Sequence, residues 1–251
     1  VPPGESESQA LAVSGDGSTV TVVGSYPNSI QYIYKGGEFS QVQIPQGYDY
    51  AEVYDVNQDG SVWLGAVDKE SSDGFRSYED DYVLWKDNVA SFLPDGLVPR
   101  AVSDDGTVVA GRDVNSAVLW TNSSGIISRF TSPNEVFDVE DLSGDGKTVV
   151  GSHSVDGSNL LFSYEAYRWS EEKGFESLGT SPDFEDSRAN AVNRDGSVVV
   201  GYEWDQETNN RVASRWSEST GMVSLGALDG HDRSIAYDVN ADGSVVVGSS
   251  L

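Results

Sequence analysis

Two stretches carry the residue types of a calcium loop. Asp55-x-Asn57-x-Asp59-Gly60 and Asp238-x-Asn240-x-Asp242-Gly243 put side-chain oxygens at positions 1, 3 and 5 and a glycine at 6, as the first half of an EF-hand-like loop does around a hard cation. On that reading the chain is a calcium-dependent adhesion module. The second half does not follow. Position 12, where a bidentate carboxylate belongs, is Ala66 in one and Ser249 in the other, and position 9 is Trp63 or Val246. A poorer version, Asp141-x-Ser143-x-Asp145-Gly146, has Ser152 and Val149 at those places. Three more copies of the segment open with Ala12, Ala101 and Ala191 and keep the same turn. Turn chemistry is therefore the stronger reading of these residues, and no cofactor is required.

Other reactive groups are sparse. His153 and His231 are the only histidines, lie in no metal-ligand spacing and read as turn or surface residues. There is no cysteine, which removes thiolate metals, disulfides and cysteine nucleophiles. Neither a Gly-x-Ser-x-Gly elbow nor a phosphate-binding loop is present. Acids beside aromatics are more promising, because sugar and cationic-peptide sites are built that way. Tyr48 and Tyr50 flank Asp49, Tyr78 and Tyr82 flank Glu79-Asp80-Asp81, and Tyr202 and Trp204 flank Glu203. Those six aromatics are the candidate binding residues.

The background charge qualifies any acidic site. The 251 residues hold 41 Asp and Glu against 15 Lys and Arg, a formal net charge of −26. Such a field disfavours phosphate backbones, so nucleic acid is not an expected partner. It also makes pairs of carboxylates at a useful separation commonplace. With 37% hydrophobic residues and 10% aromatics the chain has matter for a core, so the charge reads as a solvated coat and not as disorder. No apolar run reaches the ~20 residues of a membrane span, and no signal-peptide pattern opens the chain.

The elements that must position these residues follow from one segment that recurs. It is Val-(Ser/Asn)-x-Asp-Gly followed by an apolar run and a glycine, with its second Asp or equivalent at Asp16, Asp59, Asp105, Asp145, Asp195 and Asp242. The intervals of 40 to 50 residues match propeller blades better than solenoid rungs. Ser or Asn at the first position and Gly at the fourth predict a type I turn closed by a left-handed glycine, hence a hairpin. Val198-Val199-Val200 and Val245-Val246-Val247 are apolar at successive positions, so both faces of the strand must be covered. Between hairpins comes a strand ending in an aromatic, as at Trp85, Trp120, Trp169 and Trp216, and then a strand led by glycine, as at Gly174 and Gly221. Four antiparallel strands per period packed on both faces predict an all-β fold, a β-propeller of five to six four-stranded blades, one of them incomplete, spanning 1–251 as a single repeat domain.

The stretch Leu225-Gly226 through Ser234, Ala236 and Val239 to Asp242-Gly243 and Gly248 resembles the HAF repeat of bacterial extracellular and autotransporter-associated proteins. Leu178-Gly179 through Ala191 to Gly201 resembles the same unit with a different loop. The resemblance implies a secreted or surface-attached, β-propeller-like protein and transfers no catalytic residue. WD-repeat and kelch patterns fit less well. The expected function is accordingly a non-enzymatic binding or structural module of the cell envelope or extracellular space, with an unknown protein or carbohydrate as partner. The alternatives are a carbohydrate-active enzyme or glycan-binding protein using acids and aromatics on one propeller face, and the calcium-dependent module above.

Overall fold

The computed structural model describes residues 1–24, 30–69, 81–114, 116–131, 137–154, 163–205 and 208–251. These are strands joined by turns. The first sheet runs β1 (Ser8–Val13), β2 (Thr19–Gly24), β3 (Gln31–Lys35), β4 (Glu38–Gln41). The second runs β5 (Tyr50–Val56), β6 (Val62–Asp68), β7 (Asp81–Lys86), β8 (Val89–Phe92), and the third β9 (Val98–Val102), β10 (Val108–Arg112), β11 (Ala117–Thr121), β12 (Gly125–Phe130). The fourth is β13 (Phe137–Leu142), β14 (Thr148–Ser154), β15 (Tyr164–Ser170), β16 (Gly174–Ser177) and the fifth β17 (Asp186–Val192), β18 (Val198–Asp205), β19 (Asn210–Ser217), β20 (Gly221–Gly226). The sixth holds β21 (Ser234–Val239) and β22 (Val246–Ser250). All six sheets are ordered as the chain runs, and the chain forms two compact units, Val1–Val109 and Ala110–Leu251. The described residues contain no helix long and apolar enough to cross a membrane.

The predicted turns form. The amide of Gly17 donates to the Ser14 carbonyl at 2.8 Å and that of Gly60 to Asn57 at 3.1 Å, and both glycines are left-handed, with φ of 72° and 67°. One residue in each strand before the turn is bulged, as at 53/55, 139/141, 189/191 and 236/238. The bulge turns the end of that strand over. In the second unit Ala189 and Val192 pack with Val150, Ala166 and Leu178 of the fourth sheet, whereas Ala191 packs with Ala236, Val239 and Val246 of the sixth. The valine run divides in the same way, Val199 towards the fourth sheet and Val198 and Val200 towards the sixth. That is the physical meaning of three successive apolar residues. In the first unit, Ile33 and Val42 likewise pack on Val53, Val56, Trp63 and Trp85 of the second sheet.

Chain direction sorts the connections of each sheet. The Asp-Gly turn and the turn between third and fourth strands lie at one end. The connection between second and third strands, and the one leading in from the sheet before, lie at the other. Tyr48, Tyr50, Tyr82, Tyr202 and Trp204 all belong to that second, loop-bearing end, whereas the calcium-like segments belong to the first.

Candidate functional site

At the turn end the predicted metal ligands bind the chain's own amides. Asn57 Oδ1 accepts from the Ser61 and Val62 amides, each at 2.9 Å, and Asp59 Oδ1 accepts from the Ser61 amide at 2.9 Å. Asn240 accepts from Val245 at 2.8 Å and Asp242 from Ser244 at 2.9 Å. Hydrogen bonds from Ser61 and Ser244 hold Asp59 and Asp242 below the usual carboxylate range; those from Ser18 and Ser197 do the same for Asp16 and Asp195. At Asp105 burial pushes the other way and is outweighed by bonds from Ser103 and Thr107. Asp55 does something different. Its Oδ1 accepts from its neighbour Val56 at 2.8 Å and its Oδ2 from Val102 of the third sheet, also at 2.8 Å. Asp141 repeats this with Leu142 at 2.7 Å and Val192 at 2.9 Å, and Asp238 Oδ1 takes the Val239 amide at 2.7 Å. Among the described residues no group of three or more His, Asp or Glu is placed to hold a metal ion.

The loop-bearing end of the second sheet gathers three of the predicted aromatics. The Tyr48 hydroxyl donates to Asp81 Oδ2 at 2.5 Å, and that bond, with burial, pushes its pKa up to about 12. Lys69 Nζ stands 4.9 Å from the Tyr48 ring centroid, with the Phe92 ring at 5.6 Å on the same tyrosine. Tyr50 faces buried Asp68 across the β5–β6 ladder, and Tyr82 faces Ala66 across β6–β7. Tyr78 lies outside the described residues.

The fourth and fifth sheets build a larger group in the second unit. Because side chains two apart on a strand share a face, Asp186 and Arg188 of β17, Tyr202 and Trp204 of β18, and Arg211 of β19 stand on one face, with Asp186 opposite Trp204, Arg188 opposite Tyr202 and Arg211 opposite Trp204. The Arg188 guanidinium lies 3.8 Å from the ring centroid of Tyr164 in the fourth sheet, and exposed Arg211 stands 5.2 Å from Tyr202 and 5.8 Å from Trp204. The indole of Trp204 donates to Asn209 Oδ1 at 3.2 Å. Two acids support the row from below. Buried Asp186 accepts from the Tyr164 amide at 2.6 Å and the Ser163 hydroxyl at 2.9 Å, and buried Glu203 from the amide and hydroxyl of Ser181. Tyr202 and Trp204 were legible as candidates. Tyr164, Arg188 and Arg211 were not, although Asp186-x-Arg188 and Tyr202-x-Trp204 share the period of two that puts them on one face.

One expectation needs correcting. His153 is not a surface residue: it is buried in β14, edge-on to Phe175 at 4.9 Å and Tyr167 at 6.3 Å, because the apolar stretch of this strand runs to its end. Its Nδ1 lies 3.1 Å from the Ser154 carbonyl oxygen, while Nε2 has no hydrogen-bond partner among the described residues. Burial lowers its pKa, against the field of Glu165.

No protein-family model matches the chain, and no curated protein matches it in sequence. Solved structures do resemble it. A chain assigned as TolB from Agrobacterium tumefaciens superposes with a TM-score of 0.62 at 13% identity, covering 98% of this chain and 90% of that one. TolB from Acinetobacter baumannii gives 0.57 at 16% identity over 84% of this chain and 52% of that one. An oligogalacturonate lyase from Vibrio parahaemolyticus gives 0.61 at 12% identity over 95% and 68%. At such identities the likeness is one of fold, and the fold is that of a β-propeller.

Proposed function

We propose that this chain is a β-propeller binding module of the bacterial envelope or extracellular space, and that it holds a glycan or protein segment at the loop-bearing end of its fourth and fifth sheets. The observation that carries the reading is the row of Arg188, Tyr202, Trp204 and Arg211, with Tyr164 beneath Arg188. Rigid aromatics offer a flat apolar platform. The guanidinium groups beside them supply fixed donors for hydroxyl, carboxylate or carbonyl oxygens, and cation–π contacts of about 0.5–2 kcal/mol hold those groups in place. In a chain with 15 basic residues against 41 acids, two arginines on one aromatic row concentrate positive charge where the rest of the surface repels anions. Six blades, the sixth supplied as a hairpin, and kinship with HAF-repeat proteins belong to the same reading; the repeat resemblance supports the location.

The test is a screen of the folded chain against arrayed acidic and neutral glycans and peptides, followed by titration of each hit. Trp204→Ala and Arg211→Ala should each weaken binding by about tenfold or more, as anchor residues do, with unchanged circular dichroism. Hits that bind both variants as well as the parent chain would place the site elsewhere.

A further inference from the structure

The turns form a chain of like-to-like contacts. The Asp16 amide donates to the Gln58 carbonyl at 2.9 Å, and the Gln58 amide and Asn57 Nδ2 donate to the Asp104 carbonyl at 3.3 and 3.2 Å. In the second unit Asp145 donates to Arg194 at 2.9 Å, and the Arg194 amide and Asn193 Nδ2 donate to Ala241 at 3.3 and 3.4 Å. Each turn also seats the glycine of the next over its own second strand: Gly60 on Thr19, Gly106 on Val62, Gly196 on Thr148 and Gly243 on Val198. Every turn thus has a forward surface that donates and a rear surface that receives.

The sixth hairpin has a complete forward surface. Asn240 stands where Asn57 and Asn193 stand, Asp238 where Asp55 and Asp141 stand, and Val245 and Val247 where Val198 and Val200 stand. The valines of the fifth sheet are 5% and 1% exposed under the sixth hairpin, but Val245 and Val247 are 54% and 55% exposed. The first hairpin has the matching rear surface. Val13 is 57% exposed where Val56 and Val192 are 6% exposed against the sheets before them, and Gly17 has nothing seated beneath it. Even the parity fits. Carboxylates at Asp55 and Asp141 reach forward to the amides of Val102 and Val192, in copies that carry Ala at the carboxylate position. The first copy carries Ala12, so its Val13 amide is the partner that the rule assigns to Asp238.

We propose that the sixth hairpin (Ser234–Ser250) is a docking surface for the first hairpin (Ser8–Gly24) of a second copy of this chain, joined head to tail by the contact that already joins turn to turn within each unit. The joint is apolar, through Val245, Val247 and Val13, with Asp238 accepting the Val13 amide. It has different surfaces on its two sides, so it extends into rings or filaments rather than stopping at a symmetric dimer. A net charge of −26 on each copy opposes it at low salt, and screening relieves that opposition.

Sedimentation velocity over a wide concentration range, in low and in high NaCl, tests this with Val13→Glu and Val245→Glu, both at exposed positions. The parent chain should form oligomers that grow with concentration and salt. Each variant alone should remain monomeric, its association weakened by about tenfold or more. Mixed together they should give a one-to-one heterodimer that grows no further, because each retains the surface the other has lost. A parent chain that is monomeric throughout overturns the proposal: in that case lower melting temperatures for both variants would mean the chain's own first hairpin fills the surface, and unchanged ones that no hairpin does. Oligomers that survive in either variant alone overturn it as well.

Discussion

Asp141→Ala is the sharpest perturbation of the fold. The carboxylate accepts the Leu142 amide at 2.7 Å and, across to the fifth sheet, the Val192 amide at 2.9 Å. Leu142 and Val192 are buried, so water does not readily replace the lost acceptor. A buried donor left unsatisfied costs about 1–3 kcal/mol, and two of them give a destabilisation of about 3 kcal/mol. Against that stands relief of self-repulsion in a chain of charge −26. Glu172→Ala, at an exposed turn position, measures this relief by itself. For a chain of this length about 2 °C of melting temperature corresponds to 1 kcal/mol, so Asp141→Ala should melt about 6 °C below the Glu172→Ala control. Asp141→Asn keeps one carbonyl acceptor and should fall between them. Urea titration followed by circular dichroism and by tryptophan fluorescence checks the same ordering in free energy. If Asp141→Ala lies within about 0.5 kcal/mol of the control, the range of ordinary surface substitutions, the carboxylate does not join the sheets energetically.

Three further outcomes are expected. Gly60→Ala combines a left-handed φ of 67° with a Cβ placed 2.0 Å from Thr19 Oγ1, whereas Gly36→Ala has φ of 62° and open space; chemical denaturation should show about 1 kcal/mol for the latter and about 2–4 kcal/mol for the former. His153 has its pKa lowered by burial, so the unfolded chain protonates first as pH falls below about 6.5; stability present in full above that value is lost towards acid, and the slope should flatten in His153→Phe. Tyr48 ionises near 12 because Asp81 holds its proton, so absorbance titration should lose one high-titrating tyrosinate step in Tyr48→Phe.

What the sequence disclosed was local or periodic. An Asp-Gly turn is made by residues four apart, and Val198-Val199-Val200 announces burial on both faces whatever the neighbours are. The aromatic ends of the third strands were equally plain, since Trp85, Trp169 and Trp216 each face a second-strand residue, Trp63, Val149 and Val199. The candidate site was legible only in part, because half of it is assembled across strands. Tyr202 and Trp204 sit together in the chain, but Arg211 reaches them through β18–β19 pairing and Tyr164 meets Arg188 from another sheet. His153 misled because a polar residue next to a loop ordinarily points to water, whereas β14 is buried along its whole length.

The calcium-like spacing has a cause that no single copy reveals. Asp opens copies two, four and six and Ala opens copies one, three and five. The amide after the bulge faces away from its own ladder in each copy and needs an acceptor. Asp55 and Asp141 each supply two: one oxygen for the amide in their own copy, the other for that of the copy that follows. An acid in every copy would crowd two carboxylates round the same amides, and like charges at that separation are costly. One Asp per two copies satisfies every amide with half the charge, so the period of the chemistry is two blades although the period of the fold is one. The oxygens at positions 1, 3 and 5 then lie in calcium-loop spacing because a bulge, a turn and a strand start each need an acceptor two residues apart. Ala101→Asp is the direct check: it places a second carboxylate beside Asp55, and it should destabilise the chain despite restoring the metal-like pattern in that copy.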